Sequence, residues 1–529
     1  MSHSVWQPTT GEGHPRRWAI LGVLVVSLLI VVLDNTVLNI ALPTIQQDLG
    51  ASQSELVWAI DAYILTFAAL LFTWGVLGDR YGRRRVLIIG LILFATASAV
   101  CAFSVNAQML IAFRAVMGVG GAAVLPITLA IITVVFPPHE RGRAIGMWAG
   151  AVGAAVALGP VLGGLLLQHP QWSEWLTGNA WGSVFLINVP IVLVGLVGIW
   201  RLVPETLNPN PQRLDLSGLL VSASGLTLLI YGIIHASETK DWLAWSVLIP
   251  VTIGVVVIAV FLWLEQRSDH RSFDVSLFQN RGWAVSLTAV SLSFFALSGI
   301  IFTLPFYLQV LRGFDTLQAG LCFLPFAVGQ LLAAPRSDAM ATRFGYRPVI
   351  TTGLVLVSAA LTGLAVIDID TPMWMVLAVF FGFGFGMGNV IAPASAVMQN
   401  ALPLARAGAG SAVQNTVRQV FGALGVAVLG TILATSYASN VADSLTPLPP
   451  EARTVAEDSV VETMGVISRA QSEGAPTEVL DQIRVGAFDA FLDASHFTSI
   501  LAAGIVLLAA LVVAFLLPAM RPPEEVKSS

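Results

Sequence analysis

The chain has 529 residues, of which 56% are hydrophobic and only 11% are charged, and its mean hydropathy is +0.81. A soluble globular protein carries about 25% charged residues, so this composition excludes a soluble protein and predicts an all-α membrane protein. The net charge of −5 is uninformative, because most of it comes from one loop, and no nucleic-acid partner is expected.

Fourteen apolar runs meet the requirement of about 20 residues for a helix that crosses a bilayer. In chain order they are 18–42, 56–76, 86–104, 108–134, 144–167, 183–203, 216–236, 245–265, 283–309, 316–335, 348–367, 373–397, 408–435 and 497–517. The first run is too long for a cleaved signal peptide, and no small-x-small cleavage site follows it.

The distribution of Lys and Arg supports this count. If the N-terminus is cytoplasmic, nineteen of the 26 basic residues fall in cytoplasmic segments and five on the opposite side, while Arg114 and Arg418 lie inside helices. Cytoplasmic loops of membrane proteins carry the excess of Lys and Arg. The pattern therefore predicts a multi-pass protein of the cytoplasmic membrane with both termini in the cytoplasm.

A weak internal repeat predicts two halves. The segment 79–84 follows the second predicted helix, and the similar segment 342–347 follows the tenth. Matching basic loops at these positions predict two six-helix halves of the same orientation, although short basic loops also resemble one another by chance. The predicted units are an N-terminal half (1–205), an inserted helix pair (206–280) and a C-terminal half (281–529).

One connection is long and acidic. Residues 436–496 hold ten acids and three arginines, and part of this stretch (451–490) could form an amphipathic hairpin. It is interpreted as a solvated extracytoplasmic loop or, alternatively, as a lid or an electrostatic attraction for cations. Cys101 and Cys322 lie inside predicted helices and are interpreted as packing residues.

The turn between the second and third helices holds three glycines and five charges within the segment 75–85. Its key residues are Gly75, Asp79, Arg80, Gly82 and Arg83. Charge pairs that break and re-form can give two states of similar energy, so the turn is interpreted as a conformational gate; a purely topological anchor is the alternative.

Three ionisable residues lie inside predicted helices. An acid or a base within the membrane is costly and is a functional hypothesis by default, which singles out Asp34, Asp61 and Arg114. A rise of ~1.5 Å per residue places all three at a similar depth. Asp34 could carry a proton or serve as a structural acid, and the guanidinium of Arg114 needs an acid nearby.

Asp61 is also a candidate binding residue for a cation. Trp58 precedes it by one helical turn, and an aromatic ring beside a carboxylate suits a hydrophobic cation. The alternative is that Asp61 merely pairs with Arg114. No acid lies well inside helices 9–13, so the second half is expected to supply an aromatic and polar wall.

Small residues recur in two helices. Gly159, Pro160, Gly163 and Gly164 in the fifth helix permit close helix approach and loosen the backbone hydrogen bonding. Glycines alternate from 382 to 388 in the twelfth helix and are interpreted as structural.

The motifs together resemble the major facilitator superfamily, within it the fourteen-helix drug/proton antiporter branch, and there the exporters of quaternary ammonium and multiple drugs. The matching segments are G-x-L-x-D-R-x-G-R-R-R at 75–85, L-D-x-T-V-x-N-x-A-L-P at 33–43, R-x-x-x-G at 114–118, G-P-x-x-G-G at 159–164 and the element around Arg418. The family's W-R-W-x-F-x-I-N-x-P element is only partly kept at 181–190, where the arginine is missing, and no role is carried over to that position.

The resemblance implies a major facilitator fold with 14 transmembrane helices (6+2+6). It also implies a monomeric, proton-coupled antiporter that exports lipophilic, mainly cationic drugs across the lipid bilayer by alternating access. An exporter of an endogenous metabolite, such as an antibiotic or lipid-like product, is the alternative. The predicted proton-coupling residues are Asp34, Asp61 and Arg114. The predicted substrate-binding residues are Asp34, Trp58, Asp61 and Tyr63, together with the expected aromatic wall of the second half, Phe294, Phe295, Phe302 and Tyr307. The predicted gate consists of Gly75, Asp79, Arg80, Gly82, Arg83, Gly159, Pro160, Gly163, Gly164 and Arg418.

Other classes fit poorly. The two lysines, Lys240 and Lys527, do not follow a glycine, so the chain lacks the phosphate-binding loop of an ATP-driven pump. Zinc-ligand spacings and nucleophile motifs are absent too, so the protein is not expected to be an enzyme. No metal or cofactor is expected, and a proton gradient supplies the energy.

Overall fold

The computed structural model describes residues 13–207, 216–239, 241–267, 278–400 and 407–519, and these form a bundle of α-helices. In chain order the helices are α1 (Arg17–Leu49), α2 (Gln53–Tyr81), α3 (Arg83–Cys101), α4 (Ala107–Gly121), α5 (Val124–Val135), α6 (Pro138–Gln168), α7 (Glu174–Thr177), α8 (Gly182–Leu186), α9 (Asn188–Leu202), α10 (Leu216–Thr239), α11 (Trp245–Arg267), α12 (Arg281–Phe306), α13 (Thr316–Leu321), α14 (Leu324–Phe344), α15 (Tyr346–Leu364), α16 (Met373–Asn400), α17 (Ala407–Val441), α18 (Pro450–Ala456), α19 (Val460–Ser472) and α20 (Thr477–Leu516). A π-helical turn (Tyr307–Leu311) extends α12.

Twelve helical segments of the described residues are long and apolar enough to cross a membrane. The protein is therefore an all-helical membrane protein with twelve candidate spans. Two shorter apolar segments remain: Leu158–Gln168 overlaps the second part of the predicted fifth span, and Leu220–Ala236 lies within the predicted seventh span. The predicted number of fourteen is not established by this count.

Local sequence signals explain where the helices begin and end. A capping box of Ser52 and Glu55 starts α2, and Asp315 with Gln318 starts α13 in the same way. Gly50 ends α1 in the left-handed region with φ of 58°. Gly82, with φ of 108°, makes the sharp turn from α2 into α3.

The inserted pair, α10 and α11, packs differently from the two halves. Gly225, Gly232 and Gly254 let α10 and α11 approach closely. On its other side α10 contacts both α2 and α17, whereas most of α11 is exposed. The predicted limits of the pair and of the halves stay a prediction, because residues 208–215 and 268–277 lie outside the described residues, as do both termini.

The two ends of the bundle differ in charge. We call the end that carries residues 442–476 the acidic face, and the end that carries Arg83, Arg84 and Glu205 the basic face. The connection at the acidic face is shorter than the predicted 436–496, because α17 continues to Val441 and α20 already begins at Thr477. Buried Leu480, Ile483 and Ala487 recur at helical spacing, so this stretch forms the start of the last helix.

The halves meet at the acidic face. The hydroxyl of Thr316 donates to the carbonyl oxygen of Gly164 at 3.0 Å, and the amide of Gln309 donates to the carbonyl oxygen of Ile40 at 2.9 Å. The segment 442–476 adds a contact to α1, where the amide of Gln46 donates to Ser459 at 2.7 Å. A cavity of about 490 Å³ remains here, lined on both sides by residues that include Gln168 and Gln309.

Alternate glycines of α16 allow two neighbours to pack closely. A Cβ added at Gly384 would meet the carbonyl oxygen of Phe326 in α14, and one at Gly386 would lie 2.8 Å from a methyl carbon of Val357 in α15. The structural interpretation of this run is supported there, but Gly382 has no atom within 4 Å of an added Cβ.

We predict that Gly384→Ala lowers the thermal unfolding temperature, because overpacking a tight contact costs about 1–3 kcal/mol. Gly382→Ala is the matched control on the same helix, and it should leave the temperature unchanged or raise it slightly. Thermal unfolding of the purified proteins in detergent measures both. Equal unfolding temperatures for the two variants would contradict the packing assignment.

Candidate functional site

A fully buried ion pair lies in the N-terminal half. Nη1 of Arg114 in α4 lies 2.5 Å from Oδ2 of Asp34 in α1, and the two side chains are 0% and 1% exposed. Two charges removed from water are tolerated only when they are paired and hydrogen-bonded. Arg114 thus has the acid that its position required, and that acid is Asp34.

Two further polar side chains complete the carboxylate's surroundings. Nδ2 of Asn188 in α9 donates to Oδ1 of Asp34 at 2.7 Å and lies 2.9 Å from the hydroxyl oxygen of Ser98 in α3. Ser98 in turn donates to the carbonyl oxygen of Phe185 at 2.9 Å. Four helices therefore converge on Asp34.

Sequence reasoning missed Asn188 and Ser98. Asn188 belongs to the partly kept element 181–190, to which no role was assigned. A buried asparagine in a predicted membrane helix was the available signal, since such a polar group must find a partner.

Arg114 keeps other partners besides Asp34. Its Nε donates to the carbonyl oxygen of Ala59 at 2.9 Å, and its Cζ lies 4.4 Å from the centre of the Tyr63 ring. Tyr63 donates to the carbonyl oxygen of Val31 at 3.3 Å. Tyr63 was predicted to bind substrate, and in this conformation it is a fully buried neighbour of the guanidinium.

Asp61 is not part of this pair. Its side chain is fully buried, and neither carboxylate oxygen has a hydrogen-bond partner among the described residues. At 100° per residue Asp61 and Tyr63 point about 160° apart on α2. The structure therefore does not bring Asp61 into one site with Asp34 and Arg114, and the alternative of an Asp61–Arg114 pair is wrong.

The glycine-rich turn between α2 and α3 is held by charge. Arg83 lies 2.8 Å from Asp79, and Glu205 accepts from the backbone amide of Arg84 at 3.1 Å. A Cβ at Gly82 would lie 2.6 Å from the Glu205 carboxylate. Glu205 was missed from the sequence because it is distant in the chain.

The other predicted members of this turn make fewer contacts. The Arg80 guanidinium lies 5.6 Å from the ring of Tyr81. A Cβ at Gly75 would lie 3.5 Å from Pro126 of α5. Their role in gating stays a prediction.

The small residues of α6 lie where α6 meets its neighbours. Gly159 and Gly163 face Thr36 and Val37 of α1. Gly164 faces the backbone of Thr316, and the carbonyl of Pro160 lies against Gly320 of α13. This motif therefore forms part of the contact between the halves.

The predicted residues of the C-terminal half lie apart from the ion pair. The Arg418 guanidinium lies over the ring of Phe294 at 5.0 Å. Phe295 and Phe302 face Gly425 and Gly430 of α17. Tyr307 donates to the carbonyl oxygen of Asp368 at 3.0 Å.

Two packed helical halves and an ion pair buried among membrane helices are features of secondary transporters. No group of three potential metal ligands occurs among the described residues. The Major Facilitator Superfamily profile matches residues 24–426. The chain belongs to this superfamily.

Similar proteins agree with this assignment. Over 96% of this chain and 97% of the relative, the sequence is 36% identical to the multidrug efflux pump LfrA of Mycolicibacterium smegmatis. It is 33% identical to the tetracenomycin C resistance and export protein of Streptomyces glaucescens, over 79% of this chain and 76% of that protein. It is 32% identical to the methyl viologen resistance protein SmvA of Salmonella typhimurium, over 93% of this chain and 96% of that protein.

A solved structure shows the same fold. A bacterial homologue of the human lysosomal transporter Spinster superposes with a TM-score of 0.66, covering 95% of this chain and 98% of that one at 16% identity.

We predict that removing Arg114 alone is worse than removing both charges. Arg114→Met leaves Asp34 buried without its counter-ion, and breaking a buried pair costs about 3–5 kcal/mol. Asp34→Asn combined with Arg114→Met removes both charges and keeps an acceptor for Asn188, so it should unfold at a higher temperature than Arg114→Met. Thermal unfolding in detergent gives the comparison, and a double variant less stable than the single one would refute the pairing argument.

Proposed function

We propose that the protein is a proton-coupled antiporter that exports lipophilic, mainly cationic drugs across the cytoplasmic membrane by alternating access. The observation that carries the proposal is the fully buried Asp34–Arg114 pair, in which both carboxylate oxygens of Asp34 accept a hydrogen bond. LfrA is named a multidrug efflux pump and SmvA a methyl viologen resistance protein, and these names support drugs as the substrates.

Proton coupling follows from the alternative partners of the pair. When Asp34 takes a proton, its attraction to Arg114 is lost, while Arg114 keeps the Ala59 carbonyl and the Tyr63 ring. Asn188 and Ser98 join α9 and α3 to the same carboxyl group. A change of charge at Asp34 therefore alters the contacts of several helices at once. A coupled conformational change requires this.

Asp61 is proposed to supply the preference for cations. An unpartnered carboxylate is costly when buried, so we infer that Asp61 is protonated in this conformation. A cationic substrate that reaches the carboxyl group of Asp61 would take the place of the proton on it. Asp34 and Asp61 then act at two separate places and not as one shared site.

Alternating access requires the contact at the acidic face to open. Gly159, Pro160, Gly163 and Gly164 make that contact from the N-terminal half. We propose that the turn around Asp79 and Arg83 holds the opposite end, and that Arg418 belongs to that gate.

We further propose fourteen spans, counting α6 and the segment Leu220–Ala236 with the twelve long ones. The basic face then points to the cytoplasm, in keeping with the excess of Lys and Arg in cytoplasmic loops. We also propose that the protein works as a monomer without a cofactor, since Asp34, Arg114 and Asp61 all belong to one chain.

A second candidate function is export of an endogenous product. The relative named for tetracenomycin C resistance and export favours it. Asp61 favours cationic drugs, since a carboxyl group gives no advantage to a neutral product.

We predict that substrate addition releases protons from vesicles that contain the wild-type protein, and that Asp34→Asn lowers this release, because residue 34 can no longer exchange a proton while Asp61 still can. Monovalent, divalent and neutral compounds are each added while external pH is recorded. Release with the neutral compound alone would support the second function. Proton release by Asp34→Asn equal to that of the wild type would refute the coupling role.

We predict that Gly164→Val keeps the acidic face open, because the added methyl groups meet the backbone of Thr316 and Leu317. A cysteine placed at Val310, which lines the cavity there, should then react faster with a membrane-impermeant maleimide. Cys101 and Cys322 are both buried and are replaced by Ala beforehand.

Gly504→Val serves as the control, since an added Cβ there has no atom within 4 Å. Drug efflux should fall in Gly164→Val only. An unchanged labelling rate in that variant would contradict the assignment of this contact as the moving one.

A further inference from the structure

Helix α10 lies across the junction between the two halves. It contacts α2 of the N-terminal half and α17 of the C-terminal half. Ile230 and Ile234 are fully buried on its bundle side, and Thr431 of α17 donates to the carbonyl oxygen of Ile233 at 3.4 Å. Movement of one half against the other must therefore change the surroundings of α10.

Three ring side chains form a row on the α2 side of α10. The rings of Trp58 and Tyr231 are 6.4 Å apart between centroids and inclined at 44°, and Tyr231 stacks on His235 at 5.7 Å and 7°. We call Trp58, Tyr231 and His235 the aromatic row. Tyr231 is 47% exposed, so part of its ring surface is free for a ligand to cover.

Asp61 points toward the same junction. Val57 contacts the position of Gly430 in α17, and Trp58 contacts Tyr231 in α10. On α2, Asp61 lies about 40° from Val57 and about 60° from Trp58 in direction, and it follows Trp58 by ~4.5 Å along the axis. Its carboxyl group is fully buried, without a hydrogen-bond partner among the described residues, and is directed between α10 and α17.

We propose that the aromatic row is a peripheral binding site for the planar ring of an aromatic monocation, which approaches Asp61 along α10. This inference rests on the proposed function and adds to it a binding site that includes α10 of the inserted pair. The exposed face of Tyr231 stacks on a planar ring, and the rings of Trp58 and Tyr231 also attract positive charge. The carboxyl group one turn away supplies the charge complementarity that selects a cation over a neutral aromatic compound.

The assignment gives the inserted pair a function. Tyr231 and His235 belong to α10, outside the two six-helix halves. They are specificity-determining residues that favour flat aromatic cations over tetraalkylammonium ions, whose charge can reach Asp61 but which have no ring to stack.

The test is binding of two cations to the purified full-length protein in lipid nanodiscs. Ethidium is the planar aromatic probe and tetrabutylammonium is the non-aromatic one, each titrated calorimetrically against empty nanodiscs as background. The variants are Tyr231→Leu, Tyr231→Phe, His235→Leu and Asp61→Asn. Leu220→Ala is the matched control, because Leu220 is also an exposed residue of α10.

Tyr231→Leu should weaken ethidium binding about tenfold, and Tyr231→Phe, which keeps the ring, should stay within about twofold of the wild type. His235→Leu should weaken ethidium binding to a smaller extent. Tetrabutylammonium should bind these variants and Leu220→Ala like the wild type. Asp61→Asn should weaken the binding of both cations.

The possible failures are distinct. If Tyr231→Leu and His235→Leu both bind ethidium like Leu220→Ala, the aromatic row is refuted while the proposed function stands. If Asp61→Asn binds both cations normally, or the wild type binds neither, the cationic part of the proposed function falls together with this inference. His235→Leu decides the outcome if Tyr231→Leu is not monodisperse on size exclusion.

Discussion

The buried Asp34–Arg114 pair is the constraint to which the rest of the N-terminal half is adapted. A carboxylate and a guanidinium inside an apolar bundle are stable only if nearly every polar atom has a partner. Asn188, Ser98 and the Ala59 carbonyl provide these partners from α9, α3 and α2. The packing of five helices therefore depends on the charge of one carboxyl group, and a proton is the smallest ligand that can change it.

Asp34 and Asp61 are separated by the body of α2. The face with Tyr63 contacts Arg114, and the nearly opposite face with Asp61 points to α10 and α17. In the proposed mechanism a proton at Asp34 and a cation near Asp61 would act on different interfaces, one within a half and one between halves. Under that proposal α2 would link the two binding events, and the two acids would not compete for one ligand.

Much of the fold could be predicted because helix formation in a membrane depends on local apolar length. Each of the fourteen predicted apolar runs falls on one helix of the structure or on two consecutive helices. Breaks such as the one between α4 and α5, and the early start of α20, were not predicted. At both places the helix boundary depends on contacts with neighbouring helices, and hydropathy along the chain does not report such contacts.

The site was predictable only in part for the same reason. A buried arginine demands an acid, and this requirement was met by Asp34. The direction of Asp61 depends on where α10 and α17 pack, and Glu205 reaches the turn at Gly82 across more than a hundred residues of chain. Both features depend on tertiary packing, and no local sequence pattern indicates them. A similar depth in the membrane does not determine the direction in which a side chain points.

The contact of α6 with α13 at the acidic face is built largely from main chain. Gly164 and Gly320 offer only hydrogen atoms and peptide groups to the opposing helix, and the bond from Thr316 ends on a carbonyl oxygen. Parting such surfaces uncovers little hydrocarbon, so hydrophobic burial contributes little to the difference in free energy between the joined and parted arrangements. If proton coupling operates as proposed, the modest electrostatic work of moving a single proton would then suffice to exchange the two arrangements, and one bulky side chain at this contact would remove that balance.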